Sequence, residues 1–260
     1  MRRNVAVSDE AADPWTAAIE QAPHRVVDVR VCTPAIVEVW LEPLGDVLDY
    51  RPGQYVLLED DAGTVAPRSF SVANAPRPDG RLSLLVTRVP GGQASTWVHE
   101  RLVAGTQVLI SGPYGTFVDD PAATVPVLYL AGGSGLAPIR ALLEAALPDP
   151  RRSALTLVFS ARTRADVIDA DRWATWQARE PRFRFVPTLT REPGPPPHGR
   201  IPTFLGEVAG DLGTGDVFIA GAAGFVADCA AAATALGASR ARIHTEVFYG
   251  EPQPWSGQPT

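Results

Sequence analysis

Apolar and polar positions alternate in short stretches through the first half of the chain. The segments HRVVDVRVC (24–32), AIVEVWLEP (35–43), GQYVLLED (53–60), RSFSVAN (68–74) and RLSLLVTRV (81–89) are rich in valine, leucine and aromatic residues. Turn signals at Leu44-Gly45, Arg51-Pro52-Gly53 and Pro78-Asp79-Gly80 separate them. Short strands at regular spacing predict an antiparallel barrel or sandwich. A short helix is expected around Thr96–Arg101, ahead of a further strand, QVLISG (107–112).

The texture changes after Asp119-Asp120-Pro121. Near-continuous apolar runs follow: VPVLYLAG (125–132), ALTLVFSA (154–161), FRFVPTL (183–189), DVFIAG (216–221) and ARIHTEVF (241–248). They alternate with helical segments such as LAPIRALLEAAL (136–147), where Leu136, Ile139, Leu143 and Leu147 share one face, and AGFVADCAAAATALG (223–237). Strands buried on both sides and joined by helical crossovers predict a parallel, doubly wound sheet. The expected fold is thus a polar tail (1–22), an antiparallel β-barrel domain (23–120), a Rossmann-like parallel α/β domain (121–250) and a C-terminal tail (251–260). The proline-rich REPGPPPHG (191–199) reads as a surface loop.

Composition narrows the function classes. A chain of 260 residues suits two domains. Its net charge of −6 argues against the basic face of a nucleic-acid binder. Cys32 and Cys229 are too few for a disulfide framework and too far apart for a CxxC motif, and a plant-type iron–sulfur cluster needs four thiolates. Reduced thiols suit the cytoplasm, the expected location. No apolar run reaches the roughly 20 residues of a membrane span. The opening MRRNVAVSDEAADPW has two arginines but no apolar stretch behind them, so it is not read as a secretory signal. His24, His99, His198 and His244 are scattered, and no cluster has ligand spacing, so no metal is expected. Trp173 and Trp176 read as packing residues.

Three motifs carry candidate chemistry. Gly132-Gly133-Ser134-Gly135-Leu136-Ala137-Pro138 follows an apolar strand and opens a helix. Glycines there let the backbone approach a phosphate, and the helix N-terminus offers free N–H groups. A tight strand-to-helix turn without a ligand has the same look. In Arg68-Ser69-Phe70-Ser71, arginine suits a pyrophosphate, phenylalanine a flat ring and serine a ring nitrogen or carbonyl. An ordinary strand with one surface arginine reads the same way. Gly91-Gly92-Gln93-Ala94-Ser95 suits a second phosphate cradle or a hairpin turn with a helix cap at Ser95.

The order of these motifs resembles the ferredoxin–NADP reductase superfamily, in particular the reductase components of bacterial oxygenases, from about residue 24 to Phe248. The resemblance implies that Arg68 holds an FAD pyrophosphate, that Phe70 stacks on the isoalloxazine and that Ser71 reaches flavin N5. It places Ser69, Val86, Arg88, Gly91, Gly92, Gln93, Ala94 and Ser95 in the same flavin-binding set. It gives Gly132, Gly133, Ser134, Gly135 and Pro138 to the pyridine nucleotide, together with Arg162, Arg164, Gly221 and Ala222. Ser71, Glu246 and Phe248 become the catalytic candidates, the acid near the flavin and the aromatic over the nicotinamide site. Many relatives carry tyrosine where Phe70 stands. The family often reads Cys-Gly-Pro-Pro where this chain has Ala220-Gly221-Ala222-Ala223, a loss that puts the rate of hydride transfer and the placement of the nicotinamide in question.

The implied activity is an FAD-dependent NAD(P)H reductase that passes electrons to a ferredoxin or an oxygenase component. Alternatives are a reductase that releases free reduced flavin, or a non-catalytic nucleotide-binding subunit. The donor stays open between NADH and NADPH. Ser160-Ala161-Arg162-Thr163-Arg164 offers no carboxylate at the strand tip, which favours a 2′-phosphate, yet similar Ala-Arg-Thr segments occur in NADH-using relatives.

Overall fold

A computed structural model describes residues 19–194 and 197–248. Residues 1–18 of the expected N-terminal tail (1–22) and the expected C-terminal tail (251–260) lie outside this range, as do 195 and 196 of the proline-rich loop. The first half forms β1 (Ile19–Thr33), β2 (Ile36–Pro43), β3 (Tyr55–Asp60), β4 (Arg68–Ser71), β5 (Leu82–Thr87), α1 (Gln93–Arg101) and β6 (Gln107–Tyr114). The strands pair antiparallel in the order β4-β3-β6-β1-β2-β5. A bridge between Val72 and Leu84 joins the two ends, so the sheet is a nearly closed barrel. Closure buries the alternating apolar face that the sequence announced: Val39, Leu41, Val56, Leu84, Val86 and Ile110 have no access to water.

Two boundaries differ from expectation. β1 starts at Ile19, inside the stretch expected to be tail, and pairs Ile19 with Gly112 and Ala22 with Ile110. The polar IEQAP sequence hides this, because ladder hydrogen bonds need backbone and not apolar side chains. α1 starts at Gln93 and not near Thr96.

The second half forms β7 (Val127–Gly132), α2 (Leu136–Ala146), β8 (Leu155–Ala161), α3 (Ala170–Arg179), β9 (Phe183–Leu189), α4 (Leu205–Ala209), β10 (Asp216–Ala222), α5 (Ala223–Ala235) and β11 (Ile243–Phe248). All five strands are parallel, in the order β11-β10-β7-β8-β9. On β7, Val127, Tyr129 and Ala131 pack with α2, while Leu128 and Leu130 pack with α4 and α5 on the other face. Trp173 is fully buried on α3 and donates its indole N–H to the Ile168 carbonyl at 2.7 Å. Trp176 meets it edge to face at 5.1 Å, so both tryptophans are packing residues.

Strand order reverses between β7 and β10, and ligands of such sheets bind outside the carboxyl ends of the strands at that point. The barrel is docked there. Ile36, Ala73 and Leu85 of the barrel share one apolar cluster with α2 and β7, and Phe117 sets its edge on the Phe218 ring at 5.4 Å. Among the described residues no helix is long and apolar enough to cross a membrane.

Candidate active site at the domain junction

A cleft of about 860 Å³ opens where the barrel meets the carboxyl edge of the parallel sheet. That volume lies within the range of about 300–1,000 Å³ usual for ligand pockets. It brings together Arg68, Ser69, Phe70 and Ser71 from β4, Ala94 and Ser95 from α1, Gly132, Gly133 and Ser134 from the loop after β7, Ala222 from β10, and Glu246 and Phe248 from β11. Residues as far apart in the chain as Tyr55 and Phe248 thus share one cavity.

The β4 strand is held by β3, with Tyr55 opposite Ser71 and Val56 opposite Phe70. Phe70 is half-buried against the barrel core, so part of its ring stays free for a partner in the cleft. Ser71 is buried and donates its hydroxyl to Glu246 Oε1 at 2.5 Å. Burial of the Glu246 carboxyl pushes its pKa from 4.5 up to about 7, while the Ser71 hydrogen bond pulls the other way. A carboxyl poised near neutrality inside a cleft holds or releases a proton with little driving force.

The loop after β5 turns at Gly91, whose φ of +76° favours glycine. Gly92 caps α1 through its position alone, since no side chain bonds the first N–H groups of the helix. Ser95 is therefore not the cap that one sequence reading required. It lies inside the first turn, where its hydroxyl accepts the Val89 N–H at 3.1 Å and faces the Gly92 carbonyl at 3.2 Å. That bond folds the loop and leaves the helix N-terminus open toward the cleft, the arrangement an anion needs.

The loop after β7 is built the same way. Gly133 holds φ +56°, and a Cβ there would meet nothing within 4 Å. Gly135 is packed for a different reason: its Cβ would lie 2.2 Å from the Ala220 carbonyl oxygen. The glycine lets α2 start directly against the end of β10. Gly135 and Pro138 are buried behind the loop and do not line the cleft. Gly221 sits against Phe225, whose ring would be 2.8 Å from a Cβ at that position.

Four members of the expected flavin set, Val86, Arg88, Gly91 and Gln93, lie outside the cleft lining. β5 alternates, so Leu85, Thr87 and Val89 face the cleft while Val86 points into the barrel core. Arg88 is exposed and pairs with Glu100. Gly91 and Gln93 are exposed on the loop rim outside the cleft lining. Arg162 and Arg164 stand beyond the cleft at the tip of β8. There Glu192, from the loop after β9, accepts the Arg164 backbone N–H at 2.8 Å and lies 3.6 Å from its guanidinium. Glu192 comes from another loop, so the sequence around the tip itself carries no sign of this carboxylate. Thr87 is also absent from the expected set, although strand alternation marks it; its hydroxyl meets that of Ser134 at 2.8 Å across the domain junction.

A second cavity, of about 970 Å³, lies under the opposite edge of the sheet among Arg51, Asp119, Asp216 and Arg242. Its carboxylates are already engaged: Asp119 and Asp216 both pair with Arg152, and Asp216 also with Arg242. The smaller cleft fits a flavin and a pyridine nucleotide better. It offers a half-covered aromatic ring, two uncapped helix starts and an arginine at its mouth.

Family models for an oxidoreductase FAD-binding domain and an oxidoreductase NAD-binding domain match residues 33–118 and 129–231. The chain is 34% identical to ferredoxin–NADP reductase B of Sorangium cellulosum, over 86% of this chain and 96% of that one. It is 28% identical to the ferredoxin–NAD(P)(+) reductase component of a naphthalene 1,2-dioxygenase/salicylate 5-hydroxylase system from Ralstonia, over 89% of this chain and 67% of the relative. The crystal structure of the Amycolatopsis cytochrome P450 reductase GcoB superposes with a TM-score of 0.85 at 31% identity, covering 93% of this chain and 73% of that one. With both domain models matched and the fold superposing on that of a solved relative, the chain belongs to the ferredoxin–NADP reductase superfamily and is an FAD- and NAD(P)H-dependent oxidoreductase.

Proposed function

We propose that the protein receives a hydride from NAD(P)H on an FAD held by the barrel and passes the electrons to a separate acceptor protein, a ferredoxin or an oxygenase component. The observation that carries this reading is the single cleft that joins β4, the start of α1, the loop after β7 and the end of β11, with Ser71 bonded to Glu246 across it. Bound flavin supplies the chemistry: it takes two electrons as hydride and gives them up singly.

The chain's own residues do the rest. Arg68 and the open N-terminus of α1 would hold the pyrophosphate, and Phe70 would stack on the ring system. Ser71 would stand beside the reacting part of the ring system, and Glu246, bonded to it and with its pKa pushed up to about 7, would hold or release a proton there near neutral pH. Gly132, Gly133 and Ser134 cradle the dinucleotide phosphates at the start of α2, and Phe248 covers the nicotinamide side of the cleft. The donor is NADH in this reading. Glu192 puts a carboxylate at the tip of β8 and occupies Arg164, which suits a ribose 2′-hydroxyl and disfavours a 2′-phosphate.

Purified protein should be yellow, should keep its FAD through gel filtration and should bleach under anaerobic NADH. Colour should return on addition of an oxidised ferredoxin that serves as acceptor. Loss of flavin on the column with turnover of free flavin would instead establish a flavin reductase, and protein that stays colourless with added FAD would overturn the proposal.

A further inference from the structure

The buried side chains along α2 are apolar, with one exception. Arg140 is an arginine with no solvent access at all. A charge so placed persists only if it is paired and its donors are satisfied. Its Nε donates to the Ala73 carbonyl at 2.5 Å, its Nη1 to Asp169 at 2.6 Å, and its Nη2 to the Ser83 hydroxyl at 2.9 Å and to Glu38. Glu38, Ala73 and Ser83 belong to the barrel; Asp169 belongs to the nucleotide-binding half. Arg30 on β1 bonds both Glu38 and Asp169, at 2.7 and 2.9 Å, and closes the network from the solvent side. Asp169 holds a left-handed φ of +56° while its carboxylate takes part in these pairs.

Each end of this network is attached to a wall of the cleft. Ala137, which lines the cleft, lies one helical turn before Arg140. Ala73 follows Ser71 by two residues, and Ser83 precedes Leu85 by two on β5. We propose that Arg140 is a positioning residue that fixes the distance between the nucleotide-loop wall and the flavin-strand wall. It governs the hydride step and leaves capture of FAD or dinucleotide to other residues. The inference rests on the proposed function, since it needs flavin and nicotinamide to meet in this cleft. Lysine cannot replace the planar fork, because three donors on one nitrogen do not reach acceptors spread over four chain segments.

The test is anaerobic stopped-flow mixing of FAD-loaded wild type, Arg140→Lys and Glu38→Gln with NADH and with its 4-deuterated form, alongside FAD content and NAD+ affinity by titration. A misplacement of about 1 Å costs on the order of 100-fold in rate, so bleaching should slow about 10- to 100-fold with a larger deuterium effect. FAD content and NAD+ affinity should stay near wild type. Bleaching at the wild-type rate in an FAD-loaded variant, or a loss confined to nucleotide affinity, overturns the inference. If Arg140→Lys does not fold, Glu38→Gln carries the same test from the barrel side. Wild-type protein that neither donor bleaches would overturn the proposed function itself.

Discussion

Replacing Glu246 by glutamine isolates one charge in the cleft, and its effect has a sign fixed by the pKa. Folding raises the Glu246 pKa from 4.5 to about 7 through burial. Below pH 4.5 both the folded and the unfolded chain carry the proton, and the group adds no pH dependence. Between pH 4.5 and 7 the unfolded chain ionises while the folded chain keeps its proton, so stability falls as pH rises. Above pH 7 both states are ionised and the loss is complete. Each tenfold step in ionisation is worth about 1.4 kcal/mol, which sets an upper bound of about 3 kcal/mol. Residual solvent around a half-buried carboxyl reduces this to roughly 1–2 kcal/mol. Glutamine keeps a carbonyl for the Ser71 hydroxyl and never ionises. Urea unfolding of wild type and Glu246→Gln across pH 4 to 8, with slopes compared for each protein, reads the difference directly. The variant should gain on wild type between pH 4.5 and 7 and run parallel on either side. Parallel curves throughout would show that the cleft does not perturb this carboxyl.

Other positions separate packing from ligand binding. Gly135→Ala drives a methyl into the Ala220 carbonyl and should lower stability by about 3 kcal/mol, read by thermal melting, whereas Gly133→Ala meets empty space, costs about 1–2 kcal/mol in backbone strain and should mainly weaken dinucleotide affinity. Phe70→Leu should raise the FAD dissociation constant about tenfold through lost stacking, with Phe70→Tyr near wild type by fluorescence titration. Glu192→Gln should shift the ratio of kcat/KM values toward NADPH by about tenfold, and Arg164→Ala should shift it back, so a ratio that neither change moves would remove both from donor choice. Ala220 is fully buried beside the cleft on the strand face that Ala222 continues, so Ala220→Cys should speed anaerobic bleaching if the family's thiol aids the hydride step; an unchanged rate would show that the methyl group serves as well.

Where one strand face meets one core, the pattern could be read from sequence. β9 runs from Phe183 to Leu189 as expected, because its apolar run is bounded by turns and buried on both sides. α3 is short and mostly polar, and its apolar face rests on Trp173 and Trp176 alone, a pair legible as packing residues but too few to mark a helix beside the long apolar runs. Glycine signals located both glycine loops beside the cleft, but backbone geometry decided where α1 begins, through Gly91 and the inward turn of Ser95. Strand alternation separates Thr87 from Val86 and Arg88 once the barrel is closed. The Arg140 network was not legible at all: its carboxylates are 102 and 29 positions away, and nothing in either neighbourhood announces a partner.

The reacting geometry is a property of the docked pair of domains and not of either half. Ser71 is bonded to the last described strand of the other domain, Thr87 to the nucleotide loop, and Ala73 and Glu38 to α2 through Arg140. Sheet order explains why these links converge. β11 and β7 flank β10, and neighbouring strands lie about 4.8 Å apart, so Glu246 and the Gly132–Ser134 loop rise from strand ends roughly 10 Å from each other. The space above the β10 strand end therefore has the Glu246 carboxyl on one side and the Gly132–Ser134 loop on the other. The barrel closes it from above with Phe70 and Ser71. On the proposed function, a dinucleotide held by its phosphates at the β7 loop would extend its reactive end toward the wall that β4 presents.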